Sequence, residues 1–212
     1  MSFRKFFYVA LVSTLLSNAL AATDPFAPPV PLYIEGNQYV TAYPDKKSDK
    51  PTVMEFFSFG CPHCYHAEDQ VNHWLSSKPD NVEYIKIPVG FGRPSWVLFA
   101  RAYYISKALK IEEQSIPAFF SLIHEKKQPP KDKTDLKQFF LSQGVSEEDF
   151  EKNYGSFYVE SSLKKADQLA TEFKISGVPT FIASNRYTLG KEINSQEEFD
   201  NLLTALALKD FK

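Results

Sequence analysis

The chain has 212 residues, and its 24 lysine and arginine residues are nearly balanced by 26 aspartate and glutamate residues. A net charge of −2 at pH 7, without a basic cluster, argues against nucleic acid as a partner. The length suits one domain, or one domain with a sizeable insertion, and a content of two cysteines excludes a disulfide-rich scaffold.

The first 21 residues have the features of a secretory signal peptide. Arg4 and Lys5 form a positively charged n-region, residues 6–16 form an apolar core, and the small residues Ala19 and Ala21 on either side of Leu20 are typical of a cleavage site. This apolar core is much shorter than the about 20 residues that span a bilayer. We therefore predict that the signal peptide is cleaved and that the mature chain begins near Ala22 and is not embedded in a membrane.

The next segments predict the first part of an α/β sheet. Residues 32–43 alternate loosely around a turn and predict a short strand pair. Residues 52–59 have the nearly continuous apolar character of a central strand. A helix is predicted at residues 62–77, because proline is well tolerated at the first helical position. Residues 81–87 alternate as a further strand.

A region of helical character interrupts this pattern. It begins at residues 88–94, which are rich in proline and glycine and therefore predict a loop. Apolar residues recur at helical spacing in four segments, at residues 95–110, 116–126, 134–143 and 146–153. Segments on both sides of this region are needed to complete a sheet. We therefore interpret residues 92–158 as an inserted helical domain.

The C-terminal part returns to the main domain. Its predicted elements are a helix, a two-stranded hairpin and a closing amphipathic helix, at residues 161–174, 179–189 and 195–208. The predicted fold class is α/β, with one main domain formed by residues 22–91 and 159–212.

Both cysteines belong to the motif Cys61–Pro62–His63–Cys64, at the junction of a predicted strand and a predicted helix. A disulfide that closes so short a loop adds only about 2 kcal/mol in the loop-entropy model, so chemistry explains the pair better than stabilisation does. Free N–H groups and the helix dipole favour a thiolate at a helix N-terminus. We predict Cys61 as an exposed nucleophile and Cys64 as a more shielded resolving thiol. His63 would add positive charge or donate a hydrogen bond to the Cys61 sulfur.

Two other uses of the cysteine pair fit the sequence less well. Haem attachment needs a histidine directly after the second cysteine, where this chain has Tyr65. A structural zinc site draws a second pair of ligands from elsewhere in the chain, and His73 and His124 do not have that spacing. We expect no metal and no bound cofactor.

Two motifs resemble a known family. The sequence EFFSFGCPHCY at residues 55–65 resembles the active-site segment of the DsbA family of periplasmic thiol:disulfide oxidoreductases. The sequence GVPT at residues 177–180 resembles the cis-proline loop that faces the dithiol in that family. The resemblance covers essentially the whole mature chain and implies a thioredoxin fold with an inserted helical domain. It also implies a cis peptide bond before Pro179, and substrate binding by Val178, Pro179 and Thr180.

The resemblance extends to further residues. An acidic residue at the position of Glu55 lies beneath the dithiol in thioredoxin-like proteins and assists proton transfer to or from the resolving cysteine; the alternative is a solvent-facing strand position. Gly60 departs from the bulkier residue that is common before the first cysteine, which concerns the shape of the substrate groove. We assign Trp74 and Trp96 to the core.

The resemblance also implies the partners. Substrates would be reduced secreted or outer-membrane proteins, and a DsbB-like, quinone-linked membrane oxidase would restore the disulfide. The first alternative is a disulfide isomerase or reductase of the same fold. The second is a periplasmic chaperone or metal carrier that binds its clients without redox turnover.

Overall fold

A mixed sheet of five strands lies at the centre of the protein, in a computed structural model that describes residues 33–190 and 192–211. The strands are β1 (Tyr39–Thr41), β2 (Thr52–Phe57), β3 (Glu83–Pro88), β4 (Thr180–Ala183) and β5 (Tyr187–Leu189). Their order across the sheet is β1-β5-β4-β2-β3. β2 and β3 are parallel, and the other neighbouring pairs are antiparallel. The predicted signal peptide lies outside the described residues.

Seven helices in the described part of the chain accompany this sheet. They are α1 (Pro62–Ser77), α2 (Pro94–Leu109), α3 (Glu112–His124), α4 (Lys133–Ser142), α5 (Glu147–Tyr154), α6 (Phe157–Glu172) and α7 (Gln196–Leu208). Proline occupies the start of α1 and of α2, where its missing N–H has no cost. Four helices, α4 to α7, begin with a side chain that caps the N-terminus. The capping residues are Asp132, Ser146, Ser156 and Ser195. None of the helices described here is long and apolar enough to cross a membrane.

Two apolar clusters lie on opposite faces of the sheet. Val53 and Met54, which are neighbours in β2, belong to different clusters because successive strand side chains point to opposite faces. One cluster joins the sheet to α1 and α7 and contains Trp74, which is 1% exposed and confirms its assignment to the core. The other joins the sheet to α2–α6 and is rich in phenylalanine.

Most predicted elements are confirmed, and the differences are local. α3 begins four residues earlier than predicted and contains Pro117, which the sequence pattern placed near the start of a helix. α6 begins at Phe157, so the predicted boundary between residues 158 and 159 falls in its first turn. The strand pair predicted at residues 32–43 is wrong for the residues described. β1 pairs with β5 instead, which places Gly190 N–H 2.7 Å from the Gln38 carbonyl.

Candidate active site

The active-site turn connects β2 to α1. Cys61 is the N-cap residue of α1, with extended backbone (φ −96°, ψ 118°), and Pro62 is the first helical residue. The Cys61 N–H donates to the Ser58 carbonyl (3.0 Å), which closes the turn. The first turn of α1 contains no acidic residue, so no carboxylate of its own opposes a thiolate at Cys61.

The two cysteines differ in exposure. Cys61 is 6% exposed and Cys64 is fully buried, so the more shielded position of Cys64 is confirmed. The prediction of an exposed Cys61 is wrong, because the loop before β4 covers it: Cys61 Sγ donates a hydrogen bond to the Val178 carbonyl (3.3 Å). Burial raises the pKa of the Cys64 thiol well above its usual range, and the nearby Cys61 and Glu55 act in the same direction.

His63 and Pro62 lie on the outside of the turn, and both are exposed to solvent. In this structure the Cys61 sulfur donates to Val178, and a hydrogen bond from His63 to that sulfur stays a prediction. The second predicted role of His63, a contribution of positive charge, stays a prediction. No group of three histidine, cysteine, aspartate or glutamate side chains in the described ranges is placed to hold a metal ion.

The loop of residues 177–180 faces Cys61. The peptide bond between Val178 and Pro179 is cis, as expected from the family resemblance. Val178, Pro179 and Thr180 are half-buried, and the Thr180 hydroxyl donates to the Gly177 carbonyl (2.8 Å). Backbone groups of this loop therefore lie beside the sulfur that an incoming thiol would meet.

Trp96 lies against the turn, which the sequence did not indicate. A Cβ atom on Gly60 would come within 2.3 Å of Trp96 Nε1, so the glycine leaves room for the indole ring. The ring is half-buried and packs partly against the core, as assigned, while the Arg93 guanidinium lies 4.5 Å from its centroid. The space that a larger side chain at position 60 would fill is thus occupied by Trp96 of α2.

A cluster of buried polar side chains lies below the turn; we call Glu55, Glu68, Tyr84 and Lys86 the charged cluster. Glu55 is fully buried, so a solvent-facing position is wrong. The Tyr84 hydroxyl donates to Glu55 Oε2, and Lys86 Nζ lies 3.5 Å from the same oxygen while it also pairs with Glu68. Glu55 Oε1 is buried without a hydrogen-bond partner in the part of the chain described.

The charges in this cluster stabilise one another. Burial alone lowers the pKa of Lys86, but the carboxylates of Glu55 and Glu68 outweigh that effect and leave the pKa raised. Burial also raises the pKa of Glu68 and that of the Tyr84 hydroxyl. Glu68, Tyr84 and Lys86 line a cavity of 740 Å³ beside α1 and α3. The cluster therefore acts electrostatically on Cys64 through Glu55, and its other three members lie at the edge of a cavity.

Comparisons with known proteins agree with this geometry. The DSBA-like thioredoxin domain family matches residues 52–207. The chain belongs to this family. It is 34% identical over 155 residues to the thiol:disulfide interchange protein DsbA of Pseudomonas syringae pv. tomato, covering 72% of each chain. It is 32% identical over 194 residues to the protein of the same name from Burkholderia cepacia, covering 88% of this chain and 87% of the relative.

Solved structures of the family have the same fold. The crystal structure of DsbA from Pseudomonas aeruginosa matches with a TM-score of 0.74 and 27% identity, over 84% of this chain and 94% of that chain. The oxidoreductase DsbA from Xylella fastidiosa matches with a TM-score of 0.74 and 27% identity, over 85% of this chain and 98% of that chain. The predicted thioredoxin fold with a helical insertion is confirmed, and the protein is a thiol:disulfide oxidoreductase.

Proposed function

We propose that this DsbA-family enzyme works in the periplasm and donates the Cys61–Cys64 disulfide to reduced secreted or outer-membrane proteins. The observation that carries the proposal is the position of Cys61, at a helix N-terminus and 3.3 Å from the Val178 carbonyl. That position combines stabilisation of a thiolate leaving group with an adjacent backbone for an extended substrate.

The reaction has two exchange steps. A substrate thiolate attacks Cys61 Sγ, the Cys61–Cys64 bond breaks, and Cys64 leaves and takes up a proton. A second substrate thiol loses its proton and attacks the substrate sulfur of the mixed disulfide. Cys61 then leaves as a thiolate, the substrate has lost two electrons, and the enzyme has gained them.

Burial of Cys64 supports this division of roles. A thiol whose pKa is raised by burial takes up a proton when it is released from the disulfide. We assign to Glu55 the transfer of that proton, because it is fully buried, influences Cys64 and keeps one carboxylate oxygen without a partner among the described residues. The cavity at Lys86 and Glu68 would let water exchange protons with the cluster.

Substitution of Glu55 by glutamine tests this role. It retains the shape of the side chain but removes its ability to carry a proton, so we expect the formation of mixed disulfide to slow by about tenfold or more. Stopped-flow mixing of the oxidised enzyme with a reduced peptide measures that step. The exposed Glu125, changed to glutamine, is the matched control, and equal rates for both variants would contradict the assignment of Glu55.

Val178, Pro179 and Thr180 are the proposed substrate-binding residues, and Pro62 and His63 complete the rim of the site. The support is their position around Cys61, with the two rim residues exposed and the loop residues half-buried. The proposed return of the enzyme to its disulfide form depends on a DsbB-like, quinone-linked membrane oxidase. That partner is supported by the family resemblance.

The direct test of the proposed function uses the two cysteines separately. Cys64→Ala removes the resolving thiol and is expected to accumulate substrate complexes linked through Cys61, whereas Cys61→Ser is expected to form none. Non-reducing gels of material trapped by alkylation measure both. Complexes that form equally in the two variants would contradict the assigned roles.

A redox titration against glutathione distinguishes the enzymatic alternatives. A strong oxidant is converted to its reduced form at a low ratio of reduced to oxidised glutathione, whereas a reductase keeps its disulfide until that ratio is much higher. Mass spectrometry with and without reductant tests the non-redox alternative: a two-hydrogen mass change is expected, and a retained metal ion would favour a carrier. N-terminal sequencing of mature protein tests export, since a start at Met1 would contradict it.

A further inference from the structure

The last residue of α3 contacts the active-site turn. His124 Nε2 lies 2.7 Å from the carbonyl oxygen of Phe59, which precedes Cys61 by two residues. A carbonyl oxygen can only accept, so Nε2 carries the proton and donates it to this bond. Phe59 is 2% exposed, so the histidine supplies a donor to a backbone group in the interior.

The same ring contacts the other side of the motif. His124 stacks on Tyr65, the residue after Cys64, with ring centroids 5.0 Å apart and planes 9° from parallel. The Tyr65 hydroxyl donates to Glu125, and this hydrogen bond raises the pKa of Tyr65. One side chain of the helical insertion therefore contacts Phe59, two residues before the dithiol motif, and Tyr65, directly after it.

We infer that His124 is a positioning residue for the exchange reaction and that it favours the reduced form of the enzyme. In the oxidised form the covalent Cys61–Cys64 bond itself fixes the turn. In the reduced form only non-covalent contacts fix the conformation of the turn that places the Cys61 sulfur beside the N–H groups of α1, where its thiolate is stabilised. The hydrogen bond to Phe59 therefore matters more to the dithiol than to the disulfide, and it makes the disulfide a stronger oxidant.

A purely structural role gives a different result from a positioning role. A structural contact between α3 and the turn stabilises the oxidised and the reduced protein equally, so its loss leaves the redox equilibrium unchanged. A positioning contact stabilises the reduced protein more. The thermodynamic cycle that links folding to disulfide exchange converts that difference into a shift of the equilibrium constant with glutathione.

Substitution of His124 by phenylalanine is the decisive variant, because it retains a ring for stacking on Tyr65 and removes the donor. We expect the equilibrium with glutathione to shift by about fivefold toward the oxidised enzyme, the factor that a hydrogen bond of ordinary strength provides. Urea unfolding of both redox forms should show that the substitution lowers the unfolding free energy more in the reduced protein than in the oxidised protein. An unchanged equilibrium constant, with equal losses in both forms, would overturn the inference.

Two further variants serve as controls. Tyr65→Phe retains the stacked ring and loses the bond to Glu125, so it should leave the equilibrium constant unchanged. His124→Gln provides an amide donor and should restore part of the lost effect; a constant equal to that of His124→Phe would contradict the role of the donor. The inference rests on the proposed roles of the cysteines. A wild-type protein that does not equilibrate with glutathione would overturn that function. The same equilibrium constant for the wild type and His124→Phe would overturn the inference alone.

Discussion

The two cysteines have surroundings of different kinds, although only two residues separate them. Cys61 lies among backbone groups and an aromatic ring, in what we call the turn region: Gly60, Cys61, Trp96 and Val178. Cys64 is fully buried and lies within the electrostatic influence of the charged cluster through Glu55. Each region has one buried member, Cys61 or Glu55, and three half-buried ones. The regions differ in charge, because the cluster contains two carboxylates and an ammonium group and the turn region contains none of these.

This difference shows how one short motif handles two kinds of transfer. In the proposed reaction the substrate sulfur attacks Cys61, and the turn region supplies a helix N-terminus that favours the thiolate. The proton must reach Cys64, so that thiol is kept neutral by burial and lies near ionisable groups. In the proposed mechanism, thiol–disulfide exchange at Cys61 and proton transfer at Cys64 therefore take place on different sides of the same dithiol.

The largest effect is expected from the charged cluster. Lys86→Met retains the apolar part of the side chain but leaves Glu55 and Glu68 buried without their cation, which we expect to cost about 3 kcal/mol or more of unfolding free energy. Urea unfolding of the oxidised proteins measures it. The control is Lys50→Met, whose partner Glu83 is exposed and for which the loss should stay below about 1 kcal/mol. Similar losses in both variants would show that the cluster is not electrostatically distinct.

A smaller effect is expected in the turn region. The methyl group of Gly60→Ala would overlap the Trp96 indole, so the ring must move, at a cost of about 1–3 kcal/mol. Tryptophan fluorescence should shift together with the loss of stability. Gly155→Ala is the matched control, because a Cβ atom there has no neighbour within 4 Å. A stable Gly60→Ala protein with an unchanged spectrum would contradict the tight contact.

The smallest effect on stability is expected from the titration of Cys64, and it depends on pH. Its pKa is higher in the folded reduced protein than in the unfolded chain. Below the unfolded pKa of about 8.5, Cys64 is neutral in both states and its contribution to the unfolding free energy is complete. As pH rises from there toward the folded pKa, the unfolded chain loses this proton first, so the unfolding free energy falls by at most about 1.4 kcal/mol per pH unit. Urea unfolding of the reduced protein between neutral and alkaline pH measures this slope. Reduced Cys64→Ala should lack this component, and identical slopes in the two proteins would exclude the effect.

Local sequence patterns predicted the elements that position the dithiol. Pro62 and the helical spacing after it defined α1, and the apolar run of residues 52–59 defined the central strand, because both signals arise within a few neighbouring residues. The cysteine pair and the cis-proline loop followed from short motifs. Each of these features can be recognised without knowledge of which distant residues meet.

Contacts between distant segments could not be predicted in this way. Glu55 and Tyr84 are 29 residues apart, and Phe59 and His124 are 65 residues apart, so no periodicity in the sequence pairs them. The small volume of Gly60 was noticed, but the indole that fills the space comes from α2. The family resemblance placed the loop at Val178, 117 residues later, opposite the dithiol, but it did not predict that this loop covers Cys61. Tertiary packing, rather than local preference, determined all four features.

The continuity of α6 affects how forces pass through the protein. The chain enters the helical insertion through a loop but leaves it through this uninterrupted helix of 16 residues, a rod roughly 24 Å long. A helix bends little and does not stretch, so a force on the insertion is transmitted along α6 to Phe173, which packs on Phe56 of the central strand. A displacement of the insertion is therefore also transmitted to β2, the strand that leads into the dithiol turn.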